Sequence, residues 1–312
     1  MTKAEAAPQV AAPVDVRERR RLADRDRLLA WVLLLPSVVY IVALVAVPFL
    51  LAIAFSFSDV TAGDASFDWA GLSNYREVFD DPVFWRSLRN TIVFTAVSMA
   101  LIVLLGKVLA NILIADFKGK WLVRFLVLLP WTTPVALSTI AWLWLLDSIF
   151  SPIDWVLRDV GAIQTNMYWL GKPDLAIASV IVVHVWRLVP LAAVIMMAGL
   201  VAIPKDIEEA AAVDGAGYWR RMFEVTIPLT MPIIAVAALF GAILTFTDMA
   251  VVYVLTRGGP TNSTQVLASW AFFRGIEGGD IGQGAAIALF LFPLLLAAAI
   301  AILRAVRRME VT

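Results

Sequence analysis

AIPKDIEEAAAVDGAGYWRRMFEVTIPLTMP, residues 202–232, is a polar passage set between two long apolar runs. A connection of nearly thirty residues is longer than a turn requires, so the passage has structure of its own. Pro204 suits the first turn of a helix and Asp206 is placed to cap it, with Glu209 three residues on. The acidic cluster Asp206, Glu208 and Glu209 favours the positive end of that helix's dipole. Ala210, Ala211 and Ala212 propagate the helix, and Gly215 and Gly217 offer positions that stop it. A second short segment, 218–225, sets Tyr218, Met222 and Val225 at helical spacing, with Arg220, Arg221 and Glu224 between them. Pro228 and Pro232 then lead back into apolar sequence. The passage reads as a helix, turn, helix lying on a membrane surface, its Ala-rich ridge small enough to enter a partner's groove.

The surroundings of that passage are unusually apolar. Of 312 residues, 61% are apolar and 16% charged, against about 45–50% and about 25% in soluble domains. A water-soluble globule is excluded. With 25 basic and 25 acidic residues, no excess charge points to nucleic acid. The absence of cysteine excludes disulfides, thiolate metal sites and cysteine nucleophiles.

A hydrocarbon layer about 30 Å thick takes about 20 mainly apolar residues in a helix, and six segments qualify: 28–57, 88–115, 122–146, 175–201, 229–255 and 284–303. Pro36, Pro48, Pro134, Pro190, Pro232 and Pro293 lie in or at the ends of these runs, where each deletes a backbone donor and favours a kink. The first run is too long for a signal-peptide core and reads as a retained helix. Basic residues concentrate on one side. The N-terminal tail carries Lys3, Arg17, Arg19, Arg20, Arg21, Arg25 and Arg27. The same side holds Lys118, Lys120 and Arg124, then Lys205, Arg220 and Arg221, and finally Arg304, Arg307 and Arg308. Both termini and the 202–228 loop are therefore expected in the cytoplasm. Residues 1–27, Ala/Pro-rich and dense in Arg, read as a disordered basic tail near lipid headgroups. The long opposite loops at 58–87, 147–174 and 256–283 are rich in aromatics suited to interface anchoring or to docking a partner. The expected fold is an all-α polytopic membrane protein: a six-helix domain over 28–308 between the basic tail and a short tail at 309–312.

Glu209-Ala210-Ala211, then Gly215, then Val225-Thr226-Ile227-Pro228 resembles the EAA signature of the membrane subunits of binding-protein-dependent ABC importers. The form EAAxxDGA is intact over 209–216, and the usual Ile-x-Leu-Pro ending stands here as Val-Thr-Ile-Pro. GLSNYREVFDDPVFWRSLRNT (71–91), LLPWTTP (128–134), VWRLVP (185–190) and VYVLTRGGPTNST (252–264) are similar to the carbohydrate-uptake, maltose-type branch. The resemblance implies a permease paired with a second, homologous permease, two cytoplasmic ATPase subunits and an extracytoplasmic solute-binding protein, in a bacterial inner membrane. It makes the 202–228 loop the coupling element, with Glu208, Glu209, Ala210, Ala211, Asp214, Gly215 and Ala216 meeting an ATPase. ATP and Mg would be used by the partners: no GxxxxGK[ST] phosphate loop occurs in this chain. No cofactor and no catalytic residue is expected here.

Polar groups inside the runs are the candidates for a substrate path. Asp248 shares a helical spacing with Gly241, Thr245 and Val252, while His184 and Arg187 lie three apart in the fourth run. Two readings stand open: Arg187 and Asp248 neutralise each other or pair with the partner permease, or they line the path and bind sugar hydroxyls. His184 has no neighbouring ligand in sequence that would make a metal site. Lys107 and Asn111 read as snorkelling toward headgroups. Trp142 and Trp144 face different sides, so one can stack on a sugar while helix packing accounts for the other. The expected function is import of a di- or oligosaccharide such as trehalose or maltose by alternating access. A glycerophosphodiester or another polar solute is the alternative, and an ion-coupled secondary transporter a further one.

Overall fold

The computed structural model describes residues 16–64 and 66–310, and every regular element among them is helical. The chain divides into two units, Met1–Ala52 and Ile53–Thr312. The first holds α1 (Val16–Ile41), a π-helical turn, Val42–Ala46, and the start of α2 (Val47–Ser56), whose last four residues are counted in the second. The apolar part of this run, Leu29–Ser56, has 28 residues, long enough to cross a bilayer. The reading of 1–27 as disordered needs correction over 16–27, which is helical. Arg, Leu, Glu and Ala all favour helix, and extending a helix that the apolar run has already nucleated costs little. The rest of that tail, 1–15, lies outside the described residues, as do 311–312 of the C-terminal tail.

In the second unit α3 (Ser73–Asp80) lies ahead of the span α4 (Pro82–Ile114). The span opens six residues earlier than apolar sequence alone indicates, because Asp81 accepts the Val83 N–H (2.8 Å) and Pro82 occupies the first turn. Next come α5 (Lys120–Thr132) and α6 (Val135–Leu145), which form a span bent by 98° rather than one straight helix. The bend has a local cause: Thr133 precedes Pro134 and is held extended (ψ 136°). The helix α7 (Pro152–Asp159) separates this pair from the span α8 (Pro173–Val201).

The 202–228 loop holds α9 (Lys205–Val213) and α10 (Tyr218–Arg221). A π-helical turn, Met222–Thr226, joins α10 to α11 (Ile227–Phe246) in one continuous run, Tyr218–Phe246. The second segment of the loop is thus the end of the fifth span and not a separate surface helix. The π turn lies just ahead of Pro228, whose ring would clash with the carbonyl four residues back in a regular helix. The fifth span itself stops at Phe246. A break at 247–249 precedes α12 (Ala250–Leu255), so Asp248 lies in the break and not on a helix face. Finally α13 (Leu267–Phe272) leads through a π turn, Phe273–Glu277, to the last span, α14 (Ile281–Glu310).

The centre of this unit is α8, which packs on α4, α5, α11 and α12. Phe94, Ile102, Val180, Leu188, Ala192, Ala193, Met196 and Ala237 are buried there. In lipid no water-driven burial holds helices together, so close approach of small residues matters more. Gly106 sits against Ala192, and Gly199 against the side chain of Ile233. On the side opposite the 202–228 loop, an aromatic cluster of Phe79, Phe84, Trp85 and Phe290 knits α3, α4 and α14.

Candidate functional site

The loop at 202–228 is built as an exposed helix with a defined stop. Pro204 occupies the N-cap, Asp206 and Glu208 fall in the first turn, and no side chain caps the start, which corrects the expectation that Asp206 does so. A carboxylate inside the first turn still favours the dipole's positive end. At the other end Gly215 takes a left-handed φ of +78°. Its N–H reaches the Ala212 carbonyl (3.1 Å) and the Ala216 N–H reaches Ala211 (3.0 Å), the pair of bonds that closes a helix in a Schellman motif. Glu208, Glu209 and Ala210 are exposed, and Ala211 and Ala216 half-buried. Val213 is 87% exposed, more than a β-branched apolar side chain gains from water. Tyr218, Trp219 and Phe223 are also exposed; Trp219 stacks on Phe223 and meets Tyr218 edge-on. Arg220 donates to Glu224 (2.8 Å).

The second constellation is a buried polar network between α8 and the break after α11. Arg187 Nη2 donates to Asp248 Oδ2 (2.5 Å). His184 Nδ1 lies 3.1 Å from the same oxygen and His184 Nε2 2.9 Å from Thr245 Oγ1. A carboxylate only accepts, so Nδ1 carries the proton toward it and Nε2 faces the threonine. The backbone N–H of Val251 donates to Asp248 Oδ1 (3.0 Å) and fixes the turn into α12. His184, Thr245 and Asp248 are buried. Arg187 retains some exposure, and its Nε has no hydrogen-bond partner among the described residues. The four residues singled out in sequence therefore converge, although Asp248 reaches the cluster through a helix break and not through helical spacing.

Trp142 packs edge-on against Trp186 at 5.5 Å, while Trp144 is exposed on another side of α6. Trp186 also lines an apolar cavity of about 590 Å³ with Leu105, Leu109, Val127 and Val189, a role sequence reasoning did not assign. Lys107 donates to Asn111 (3.4 Å) on the same helix. Among the described residues no group of three or more His, Cys, Asp or Glu could hold a metal.

Two further arrangements were missed because their bonds join residues far apart in sequence. The passage 257–266 is tied to the start of α4: Arg86 donates to the Thr261 carbonyl (2.6 Å), Asn90 to those of Ser263 (2.8 Å) and Gln265 (2.9 Å), and Leu267 N–H to Thr91 (2.9 Å). Gly258, at φ +83°, leaves room that the Gln265 side chain fills. Gly258→Ala is expected to cost about 2–4 kcal/mol from left-handed strain plus overlap, read as a lowered Tm of the purified complex. Gly63→Ala, left-handed but with nothing near it, should show the smaller strain cost alone. In the second arrangement, buried Asp154 accepts the Met167 N–H (2.9 Å) and the Trp169 indole (2.7 Å), pinning α7 to the start of α8.

The family of binding-protein-dependent transport system inner membrane components matches residues 102–311. The chain is 32% identical over 284 residues to the sulfoquinovosyl glycerol transport system permease protein SmoG of Agrobacterium fabrum, covering 90% of this chain and 91% of that one. It is 31% identical to the trehalose/maltose transport system permease protein MalF of Thermococcus litoralis, with 91% and 95% covered. With the diacetylchitobiose uptake system permease protein DasB of Streptomyces coelicolor the identity is 32% and the coverage 96% of each. A solved bacterial ABC transporter involved in the import of the acidic polysaccharide alginate has the same fold, at a TM-score of 0.79 and 19% identity over 93% of this chain and 99% of that one. Signature loop, helical fold and family match agree. The chain belongs to the binding-protein-dependent transport system inner membrane components: it is a multi-pass, inner-membrane permease subunit of an ABC importer, a transport subunit and not an enzyme.

Proposed function

We propose that this permease forms half of the translocation path for a neutral, polyhydroxylated solute, a di- or oligosaccharide of the trehalose or maltose kind. A second, homologous permease supplies the other half, two ATPase subunits bind ATP and Mg, and a solute-binding protein docks outside. Both termini face the cytoplasm, in keeping with the distribution of Lys and Arg. The observation that carries the reading is α9: an exposed helix with a sharp glycine stop and a ridge of small side chains, projecting from the membrane domain. Glu208, Glu209, Ala210 and Ala211 seat in a groove of one ATPase, and Asp214, Gly215 and Ala216 set the turn that fixes the angle of approach. Closure of the ATPases on ATP draws the two coupling helices together and opens the path outward; hydrolysis resets it.

The choice of a neutral solute rests on charge. Arg187 and Asp248 neutralise each other, so the membrane interior offers neither the basic cluster that a glycerophosphodiester requires nor the acid that a polyamine requires. Arg187 Nε, buried without a partner, is a donor that a sugar hydroxyl would satisfy. Thr245, His184 and Asp248 hold Arg187 in place for that contact, and of the indoles Trp142 or Trp144 supplies a stacking face. The relatives named for sulfoquinovosyl glycerol, trehalose/maltose and diacetylchitobiose transport support the class. The test is ATPase stimulation of the complete complex by its binding protein with a panel of solutes. Disaccharides are expected to stimulate, glycerophosphodiesters and polyamines not; stimulation by a charged solute alone would overturn the assignment.

A further inference from the structure

The short helix α7 has an unpartnered apolar face whose depth is set by the spans on either side. It lies between the end of α6 at Leu145 and the start of α8 at Pro173, on the side opposite the coupling loop. Asp147 Oδ1 accepts the N–H groups of Ile149 and Phe150 (both 2.8 Å), and these bonds, Phe150 first, hold its carboxyl pKa below the usual range. Ser151 then caps α7 by accepting the Asp154 N–H (3.1 Å). Ile153 packs toward the core and buried Asp154 pins the helix. Phe150, Trp155 and Val160 are left 78%, 64% and 69% exposed, with Ile149 and Val156 beside them. Arg158, at the last turn, folds back onto Asn166 (2.7 Å).

We infer that α7 is an interfacial helix whose Trp155 and Val156, with Phe150 just before the helix and Val160 just after it, insert into the lipid headgroup boundary and anchor the outer end of the bent α5–α6 span. The spanning helix α6 just before it also exposes apolar residues, Leu137, Ile140 and Trp144 among them. Its composition is that of a membrane boundary, with Trp144, Trp155 and Tyr168 exposed and Lys172 lying 5.8 Å over the Tyr168 ring. An amphipathic helix at that level buries its apolar face about 5–10 Å into the interface. A rigid anchor there gives the bend at Thr133–Pro134 something to turn against.

The chain has no cysteine, so single labels are clean. Val156→Cys and Val160→Cys, both at exposed positions, are spin-labelled in the assembled importer in phospholipid nanodiscs with cysteine-free partners, and Asp64→Cys serves as the water-exposed control. Oxygen accessibility at 156 and 160 is expected to exceed that of a water-soluble nickel complex about threefold or more, the reverse of the control, and to be unchanged by liganded binding protein. Dominant nickel access, low access to both reagents, or a fall in either when the binding protein docks would each overturn the inference, pointing to water, the partner permease and the binding protein respectively.

Discussion

Glu209→Lys is expected to abolish most transport while leaving the permease folded and the ATPases active. Glu209 is exposed on α9 and makes no side-chain hydrogen bond or ion pair among the described residues, so its replacement alters the stability of this chain by no more than about 0.5 kcal/mol. On the proposed coupling role, what changes is the contact with an ATPase subunit. A positive side chain replaces a negative one on a small ridge, and the coupling energy between ATP site and path is the quantity lost. Couplings of this kind amount to about 1–3 kcal/mol, or about 5–150-fold. ATP-driven uptake in proteoliposomes should fall within that range or below it, with basal ATPase retained. Glu209→Gln should lie between. Wild-type uptake by Glu209→Lys would show that α9 does not couple.

Asp248→Leu is expected to act by another route, through assembly. The carboxylate accepts from Arg187, from His184 and from the Val251 backbone, all in a buried setting. Removing it strands a guanidinium, and breaking a buried pair from one side costs about 3–5 kcal/mol. The yield of intact complex should collapse. Asp248→Asn keeps one carbonyl oxygen for Arg187 and gives up the oxygen that the Val251 N–H used, a loss of about 1–3 kcal/mol, so it should assemble better than the leucine variant. Its transport then separates the two roles of the network: uptake reduced with normal assembly places Asp248 on the path, whereas unimpaired uptake leaves it structural.

Sequence carries the spans, the exposed helix of the 202–228 loop and its glycine stop because those depend on local chemistry: apolar length, small residues, a left-handed turn. It also carries Asp248, His184 and Arg187 as a set, since charge inside an apolar run is expensive wherever it occurs. Breaks are harder to read. A threonine before Pro134 signals a bend but not one of 98°, and nothing local announces that α11 stops at Phe246 so that Asp248 can cap the turn beyond. The apolar tally over 229–255 hides that stop, since both sides of the break are equally lipid-soluble. Asp154, Asn90 and Gln265 were illegible for a further reason. Their partners lie 13 to 175 residues away, and a polar residue in a loop looks the same whether it faces water or pins a helix. Residues 16–27 fail in the opposite sense: a composition poor in apolar groups still forms helix when a span is there to extend.

Coupling through α9 is tested most directly by a photo-crosslinker in place of Val213, the most exposed apolar side chain of α9, in the complete importer. If α9 couples, an adduct with the ATPase subunit forms and its yield changes between nucleotide-free and ATP-bound complexes. An adduct with lipid or with the partner permease, and none with the ATPase in either state, would contradict it.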